Sequence, residues 1–391
     1  MKFLKQFFLL FTIFSSTNFL SLKFFAFLPF DIINLFLSFI FIIYSLFNVE
    51  SWKLRYFKSL NIFLLLFILA FLLSSLVAHI DWGQDFITTF ITSRNIFWLF
   101  FGLYLVKSKT KLSDLYFVFN IFSWVYIFFG ILIIFFPPLK IELLFINENN
   151  INKLNETIFI GLSHLLIIYY FSLSKFILKK KISSISVIQF FLILTVIFSS
   201  DNRATIFTVL ILTTSVIILY SKLTLFKKIF FVLLLIISSY ISAFERINTL
   251  VEETQLEIID QDNPRIRGLN YFYYSFSKSS FGFFLGNGVG SQKVEYGKKM
   301  LILKEKDKLY LSDLGLFSMF IYFGIFSLLS ILIPGYRILM SNKEFLLVKL
   351  LVLHIFISWT YFSFLHPTTM VLFISTLYIF DYNNLKLIKN R

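Results

Sequence analysis

The sequence predicts an all-α, polytopic integral membrane protein with about 12 transmembrane helices and one large extracytoplasmic loop before the tenth span. Three observations carry this expectation. Hydrophobic residues make up 58% of the 391-residue chain and charged residues 15%, against roughly 45–50% and about 25% in soluble domains. A dozen apolar runs approach the length of about 20 residues that a helix needs to cross a bilayer core. Finally, Lys and Arg recur in every second connection between those runs. They stand at Lys2 and Lys5, at Lys53, Arg55 and Lys58, at Lys107, Lys109 and Lys111, and at Lys175 and Lys179–Lys181. The series continues with Lys222, Lys227 and Lys228, then Arg337 and Lys343, and ends with Lys386, Lys389 and Arg391. Cytoplasmic loops collect cations, whereas long translocated loops escape that rule. One orientation fits: both termini cytoplasmic, an even number of spans, and residues 245–310 outside.

The expected spans are 6–22, 28–48, 60–79, 86–106, 114–137, 157–178, 184–200, 204–221, 227–244, 311–333, 346–363 and 368–384. Lys23, Pro29 and Asp31 interrupt the first pair. The N-terminus has a charged start and an apolar run but no A-x-A-like cleavage site, so it reads as a retained span. Spans 184–200 and 204–221 leave almost no loop between them. They predict a tight hairpin with its tip, Ser199-Ser200-Asp201-Asn202-Arg203, on the external face. The Asn-rich segment from Pro137 through Asn155 reads as an external loop. The large loop opens with Glu252, Glu253, Glu257, Asp260 and Asp262. It passes through Asn263-Pro264-Arg265-Ile266-Arg267-Gly268, an aromatic run from Tyr271 to Phe276, a glycine cluster and a Lys-rich stretch. The aromatic run suits an interfacial helix or a sugar platform. With no soluble domain long enough to stand alone, residues 1–391 form one transmembrane domain.

Composition also excludes several functions. With no cysteine there are no disulfides, thiol nucleophiles or thiolate metal sites. The net charge of +15 does not predict nucleic-acid binding, because 20 of the 36 cations lie in the alternating loops. A groove reader needs its cations clustered on one folded face. The four histidines, His79, His164, His354 and His366, show no metal-ligand spacing. There is no P-loop, no Ser-His-Asp signature and no cofactor motif, so neither a metal nor a cofactor is expected.

Arg203 is the first candidate for chemistry. A cation where a hairpin re-enters the membrane is costly and faces a cavity or a partner, or it snorkels to head groups. Arg265 and Arg267 offer guanidinium forks suited to phosphate oxygens, or to salt bridges with Glu257, Asp260 or Asp262. Gly286, Gly288 and Gly290 allow the backbone close to a ligand, or simply make a turn. Asp313 at the mouth of the tenth span could act as a general base; alternatively Ser312 or Asp313 caps that helix. Arg94 falls inside the fourth span, lining a cavity or balancing Asp81 or Asp85. His366, beside Pro367, is the one histidine kept as a candidate.

Three stretches resemble the bacterial O-antigen polymerases (Wzy-like) and the related O-antigen ligases. Ser199-Ser200-Asp201-Asn202-Arg203-Ala204 resembles their Ser-Arg-Gly/Ala hairpin, with two residues inserted. Arg267 through Phe284-Leu285-Gly286-Asn287-Gly288-Val289-Gly290 resembles the arginine, aromatic run and Gly-x-Gly of their large loop. Leu311-Ser312-Asp313-Leu314-Gly315 and Tyr322-Phe323-Gly324-Ile325 resemble the segment leading into the next span. The ligases present a histidine and asparagine before that span. Lys306-Asp307-Lys308-Leu309-Tyr310 stands there instead and favours a polymerase. The resemblance implies a metal-independent glycosyltransferase of the bacterial cytoplasmic (inner) membrane. Its donor would be a polyprenyl-diphosphate-linked oligosaccharide and its acceptor a sugar hydroxyl on another lipid-linked repeat. It further implies membrane lipids, a chain-length regulator and a flippase as partners. Arg203, Arg265 and Arg267 would take the diphosphate, Asp313 would be the base with His366 in reserve, and Arg94 would be a supporting charge. The alternatives are a ligase acting on a lipid or protein acceptor, and a polysaccharide flippase or transporter.

The orientation is directly checkable. Reporter fusions at Lys109, Lys222 and the C-terminus should report cytoplasm, and one near Lys293 should report the opposite face. A cytoplasmic signal at Lys293 would overturn the topology.

Overall fold

The computed structural model describes residues 2–17, 30–47, 56–135, 162–178, 183–200, 203–220, a few positions between 224 and 233, 264–358 and 366–389. Among them all regular structure is helical. Helices α1 (Lys2–Ser16), α2 (Phe30–Phe47), α3 (Lys58–Trp82), α4 (Phe86–Thr92), α5 (Phe100–Lys107) and α6 (Leu112–Phe135) lead to α7 (Leu162–Ile177), α8 (Ser184–Phe198) and α9 (Arg203–Tyr220). Then follow α10 (Pro264–Tyr274), α11 (Ser280–Leu285), α12 (Glu295–Glu305), α13 (Leu316–Leu339), α14 (Leu346–Ile357) and α15 (Pro367–Lys389). Among the described residues three helices are long and apolar enough to cross a membrane: Lys58–Trp82, Leu112–Leu132 and Leu316–Leu339. Phe86–Thr92 with Arg94–Lys107, bent by 63°, makes a fourth if it is one span. Among the described residues the protein is thus all-helical, with three or four helices able to span a membrane. The expected span 227–244 and the segments 137–155 and 252–263 lie almost entirely outside the described residues.

The chain divides into two compact units, each assembled from three stretches. The first holds α1, α6 to α9 and α14. Its centre is α7, buried continuously from Leu162 to Tyr170, as expected of a helix apolar all round. Polar groups on this helix find side-chain partners. The Tyr169 hydroxyl lies 2.6 Å from Thr213 Oγ1, the Tyr170 hydroxyl 2.9 Å from His354 Nδ1, and His164 Nε2 2.9 Å from Ser16 Oγ. Such bonds hold helices together where no water is present to satisfy them.

The second unit is built on α3 and α13, which run antiparallel. At one end Arg337 donates to Ser59 Oγ at 3.1 Å; towards the other, Trp82 Nε1 reaches Asn287, whose backbone N–H donates to Ile321 O. α15 lies antiparallel to α3, with Phe373 edge-on to Phe63 and Tyr378 stacked on Phe57. The expected straight span 86–106 is instead broken. α4 stops at Thr92, and a 3-10 segment, Arg94–Leu99, intervenes before α5. Thr92 Oγ1 turns back to donate to its own helix and to Val289 O.

The 245–310 loop, where described, is not an open loop. Pro264 occupies the first position of α10, where its missing N–H costs nothing. Phe272 and Phe276, four residues apart, bury one aromatic face. They join Trp82, Tyr296, Leu303, Leu309, Leu311 and Leu314 in a single core. Phe272 and Phe276 of the aromatic run therefore work as packing, whereas Tyr273 and Tyr274 are exposed. α10 to α12 together form a folded cap on the α3–α13 pair.

α13 is itself broken. Gly324 takes φ 70° and ψ −167° within the helix, eight residues past its start and about 12 Å along its axis. Gly286, at φ 89°, packs directly against it. A Cβ on Gly286 would lie 2.5 Å from Gly324 N, and one on Gly324 would lie 2.3 Å from Leu285 C. Gly324→Ala or Gly286→Ala should each destabilise the protein by at least about 1–3 kcal/mol. The check is thermal unfolding of the detergent-purified protein, with Gly130→Ala in the other unit for comparison, where the nearest atoms to a Cβ belong to the Val196 side chain, at 3.0 Å, and not to backbone.

Candidate functional site

The second unit gathers most of the candidate residues at its capped end. The gathering element is the turn 286–290, wedged between α3 and α13. A Cβ on Gly288 would sit 2.9 Å from Ala78 Cβ and 3.2 Å from Ser74 O, two turns inside α3. Gly290 lies against the Tyr296 ring. The polar atoms of the turn are matched one by one. Asn287 N and Gly288 N donate to Ile321 O and Tyr322 O at 2.9 and 2.8 Å, in the α13 turn just before the break. The fully buried Asn287 side chain donates to Ser277 Oγ, Gly282 O and Ile321 O, and accepts from Trp82 Nε1 at 3.2 Å. Gln84 bridges the next step: Nε2 donates to Val289 O at 2.9 Å, and Oε1 accepts from Ser291 N at 2.8 Å. The Tyr296 hydroxyl donates to Gly288 O at 2.7 Å. Burial pushes that hydroxyl well above its ordinary range, so it remains a donor at any physiological pH.

The glycines thus bring backbone close to α13, α3 and Tyr296. The N–H groups of residues 287 and 288 already serve the protein. Sequence reading offered a ligand-binding loop or a plain turn, and the geometry is that of a packed, hydrogen-bonded turn.

Cations ring this cap. Residues 264–310 hold nine Lys and Arg against three Asp and Glu. Lys278 Nζ lies 4.3 Å from the Trp82 ring centre and 3.5 Å from Glu295. Lys299 Nζ lies 5.3 Å from the rings of both Trp82 and Phe276. Arg265 and Arg267 are exposed on α10, inside a helix rather than the expected loop. Residues two apart on a helix diverge by about 200°, so these guanidiniums do not form one clamp. Arg267 donates to Asp307 O at 2.9 Å, tying α10 to the turn before Leu309.

Asp313 lies in a 3-10 turn, Leu311–Leu314, whose Leu311 and Leu314 pack with Phe272 of α10. The arginine helix and the Asp313 turn are therefore neighbours. Neither Ser312 nor Asp313 is the N-cap of α13. That position falls to Gly315 at φ 53°, without a side-chain cap bond. Arg94 opens the 3-10 segment two residues after Thr92, which bonds Val289 O, so it too flanks the glycine turn. Its two suggested acid partners have other roles. Asp85 caps α4 through Thr88 N and Oγ1, bonds that hold its carboxyl below the usual carboxylate range, and Asp81 accepts from Ser279 Oγ. His366 is exposed just ahead of α15, towards the same end as the cap.

Arg203 belongs to the other unit. It opens α9, whose Thr208 hydroxyl meets Ser358 Oγ at 2.7 Å. Asp201 and Asn202 lie outside the described residues. Gln84, Asn287 and Trp82 were not singled out from sequence, although a Trp-Gly-Gln at a helix end and an Asn between glycines signal a structured corner. No family model, curated protein or solved structure matches the chain.

Gln84→Leu should strand Val289 O and Ser291 N and cost about 1–3 kcal/mol for each group left unpaired. Tyr296→Phe should cost about 1 kcal/mol. Denaturation in detergent with both variants side by side ranks them, and an equal or reversed order would displace Gln84 from its bridging role.

Proposed function

We propose that the protein polymerises lipid-linked oligosaccharide repeats at the extracytoplasmic face of a bacterial cytoplasmic membrane. The glycan would move from a polyprenyl diphosphate donor to a sugar hydroxyl on an acceptor repeat. One observation carries the reading: a cation-rich folded cap sits on the end of a membrane-crossing helix pair, with the Asp313 turn packed against the helix bearing Arg265 and Arg267.

The chemistry fits those groups. The acceptor oxygen attacks the anomeric carbon of the donor and forms the new glycosidic bond. The bond from that carbon to the diphosphate oxygen breaks, and its electron pair leaves with the diphosphate. The hydroxyl proton passes to the Asp313 carboxylate, with His366 as the second candidate. Placed cations stabilise the charge that develops on the leaving diphosphate. Arg267 is the α10 arginine assigned to the diphosphate, Arg265 projects from another side of the helix and adds to the local positive field, and Arg94 supplies a further charge beside the glycine turn. The sequence resemblance adds Arg203, at the start of α9 in the first unit, to the cations assigned to the diphosphate. The glycine turn supports this end of the helix pair and leaves ligand contact to side chains.

Arg203→Ala and Arg267→Ala should each reduce polymer formation by about 10²-fold at unchanged protein level, and Arg267→Lys should recover only part of the loss. Asp313→Asn should abolish long chains. The readout is chain-length distribution of surface polysaccharide in a deletion strain carrying each variant. Single capped repeats in that strain support the reading. Long polymer held on its carrier lipid would point to a ligase, and repeats retained in the cytoplasm to a flippase.

A further inference from the structure

The opposite end of the α3–α13 pair holds a second charged site, unrelated to the cap. There the start of α3, the last turn of α13 and the body of α15 enclose a cavity of about 490 Å³, lined by Tyr56, Lys58, Tyr336, Arg337, Met340 and Asp381 among others. Its charges are two cations and one carboxylate. Asp381 is buried, and its Oδ2 accepts from Leu60 N at 3.0 Å, which caps the open start of α3 where no side chain of its own does so. One N–H of Arg337 donates to Ser59 Oγ at 3.1 Å, and its other guanidinium N–H groups have no acceptor among the described residues. Lys58 is exposed and has no hydrogen-bond or ion-pair partner among them. The cavity therefore presents unused donors and a surplus positive charge.

Its rim has the composition of a membrane–water interface. Tyr56, Tyr336 and Met340 are exposed, with Tyr336 at 62%, and tyrosines gather at the level of lipid head groups. Immediately before them on α13, Leu332 and Ile333 are exposed as well, an apolar strip suited to an acyl chain. Basic pockets between helices at the membrane surface are where anionic head groups bind.

We propose that this cavity is a phosphate-binding site occupied by the head group of an anionic membrane lipid. Arg337 and Lys58 hold the phosphate oxygens, and the acyl chains lie along the Leu332–Ile333 strip. Asp381 does not meet the phosphate: it stays on Leu60 N and fixes the start of α3, which places Lys58.

The test uses the full chain in mild detergent and native mass spectrometry with added phosphatidylglycerol or phosphatidylcholine. Thermal unfolding with inorganic phosphate runs alongside. The wild type should retain phosphatidylglycerol in preference to phosphatidylcholine. Lys58→Gln and Arg337→Gln should each lower that preference by about fivefold. Lys386→Gln, an exposed cation at the same end but outside the cavity, should leave it unchanged. Lys58→Gln keeps the test decisive if Arg337→Gln folds poorly, since Lys58 holds no partner among the described residues. Stabilisation by millimolar phosphate that both variants lose, without a lipid preference, would keep the phosphate site and change its source to a soluble ligand. Equal retention of the two lipids with no phosphate effect, or a preference unchanged in both variants, would overturn the proposal.

Discussion

The second unit depends on how a broken helix keeps its carbonyls satisfied. In a hydrocarbon environment an unpaired backbone group costs several kcal/mol, so α13 can break at Gly324 only if other donors reach its last intact turn. Asn287 N, Gly288 N and the Asn287 amide supply them. The approach is so close that neither Gly286 nor Gly324 has room for a side chain. Trp82, Gln84 and Tyr296 then fix the turn to α3, α4 and the cap. One packed corner thereby sets the end of α3, the bend after α4, the seat of α10 to α12 and the start of α13.

This arrangement separates shape from charge. The corner is internally saturated, whereas the cations around it are exposed or stacked on its aromatic surface. Lys278 and Lys299 lie over the face of Trp82, where the ring quadrupole favours them, so part of the positive field is anchored by packing. In the proposed function such a rigid scaffold under an exposed charged rim serves a phosphate-bearing substrate, because placed cations stabilise developing charge without reorganising.

Much of this was legible in the chain, and what was not has identifiable causes. Span 60–79 was expected and α3 runs from Lys58 to Trp82; the extra turn arises because Asp81 and Trp82 are held by Ser279 and Asn287, partners some 200 residues away. The break in α13 could not be read, because apolar residues continue through Tyr322-Phe323-Gly324-Ile325 without a change of period. Only the turn that feeds it donors reveals it. The cap was read as loop because its helices are short and its aromatic face has no core until Trp82 and Tyr296 complete it. The candidate site was half legible. Arg94, the α10 arginines and the Asp313 turn meet at one end of one unit, yet residue spacing could not tell that Arg265 and Arg267 share a helix and so point apart.

The glycine turn also shifts where function should be sought. Gly-Asn-Gly invites the idea of a backbone cradle, but a cradle needs free N–H groups, and those of Asn287 and Gly288 already bond to α13. A substrate could recruit them only by leaving Ile321 O and Tyr322 O short of donors and by displacing a fully bonded, buried asparagine. That exchange is unfavourable for buried polar groups. Charged side chains at the rim carry no such cost: Arg265 and Arg267 reach solvent on α10, and Arg267 gives up one N–H to a backbone carbonyl while keeping the rest of its fork. Under the proposed function, recognition at this end falls to guanidinium and ammonium groups, and the glycines of the turn are accounted for by the helix they hold open.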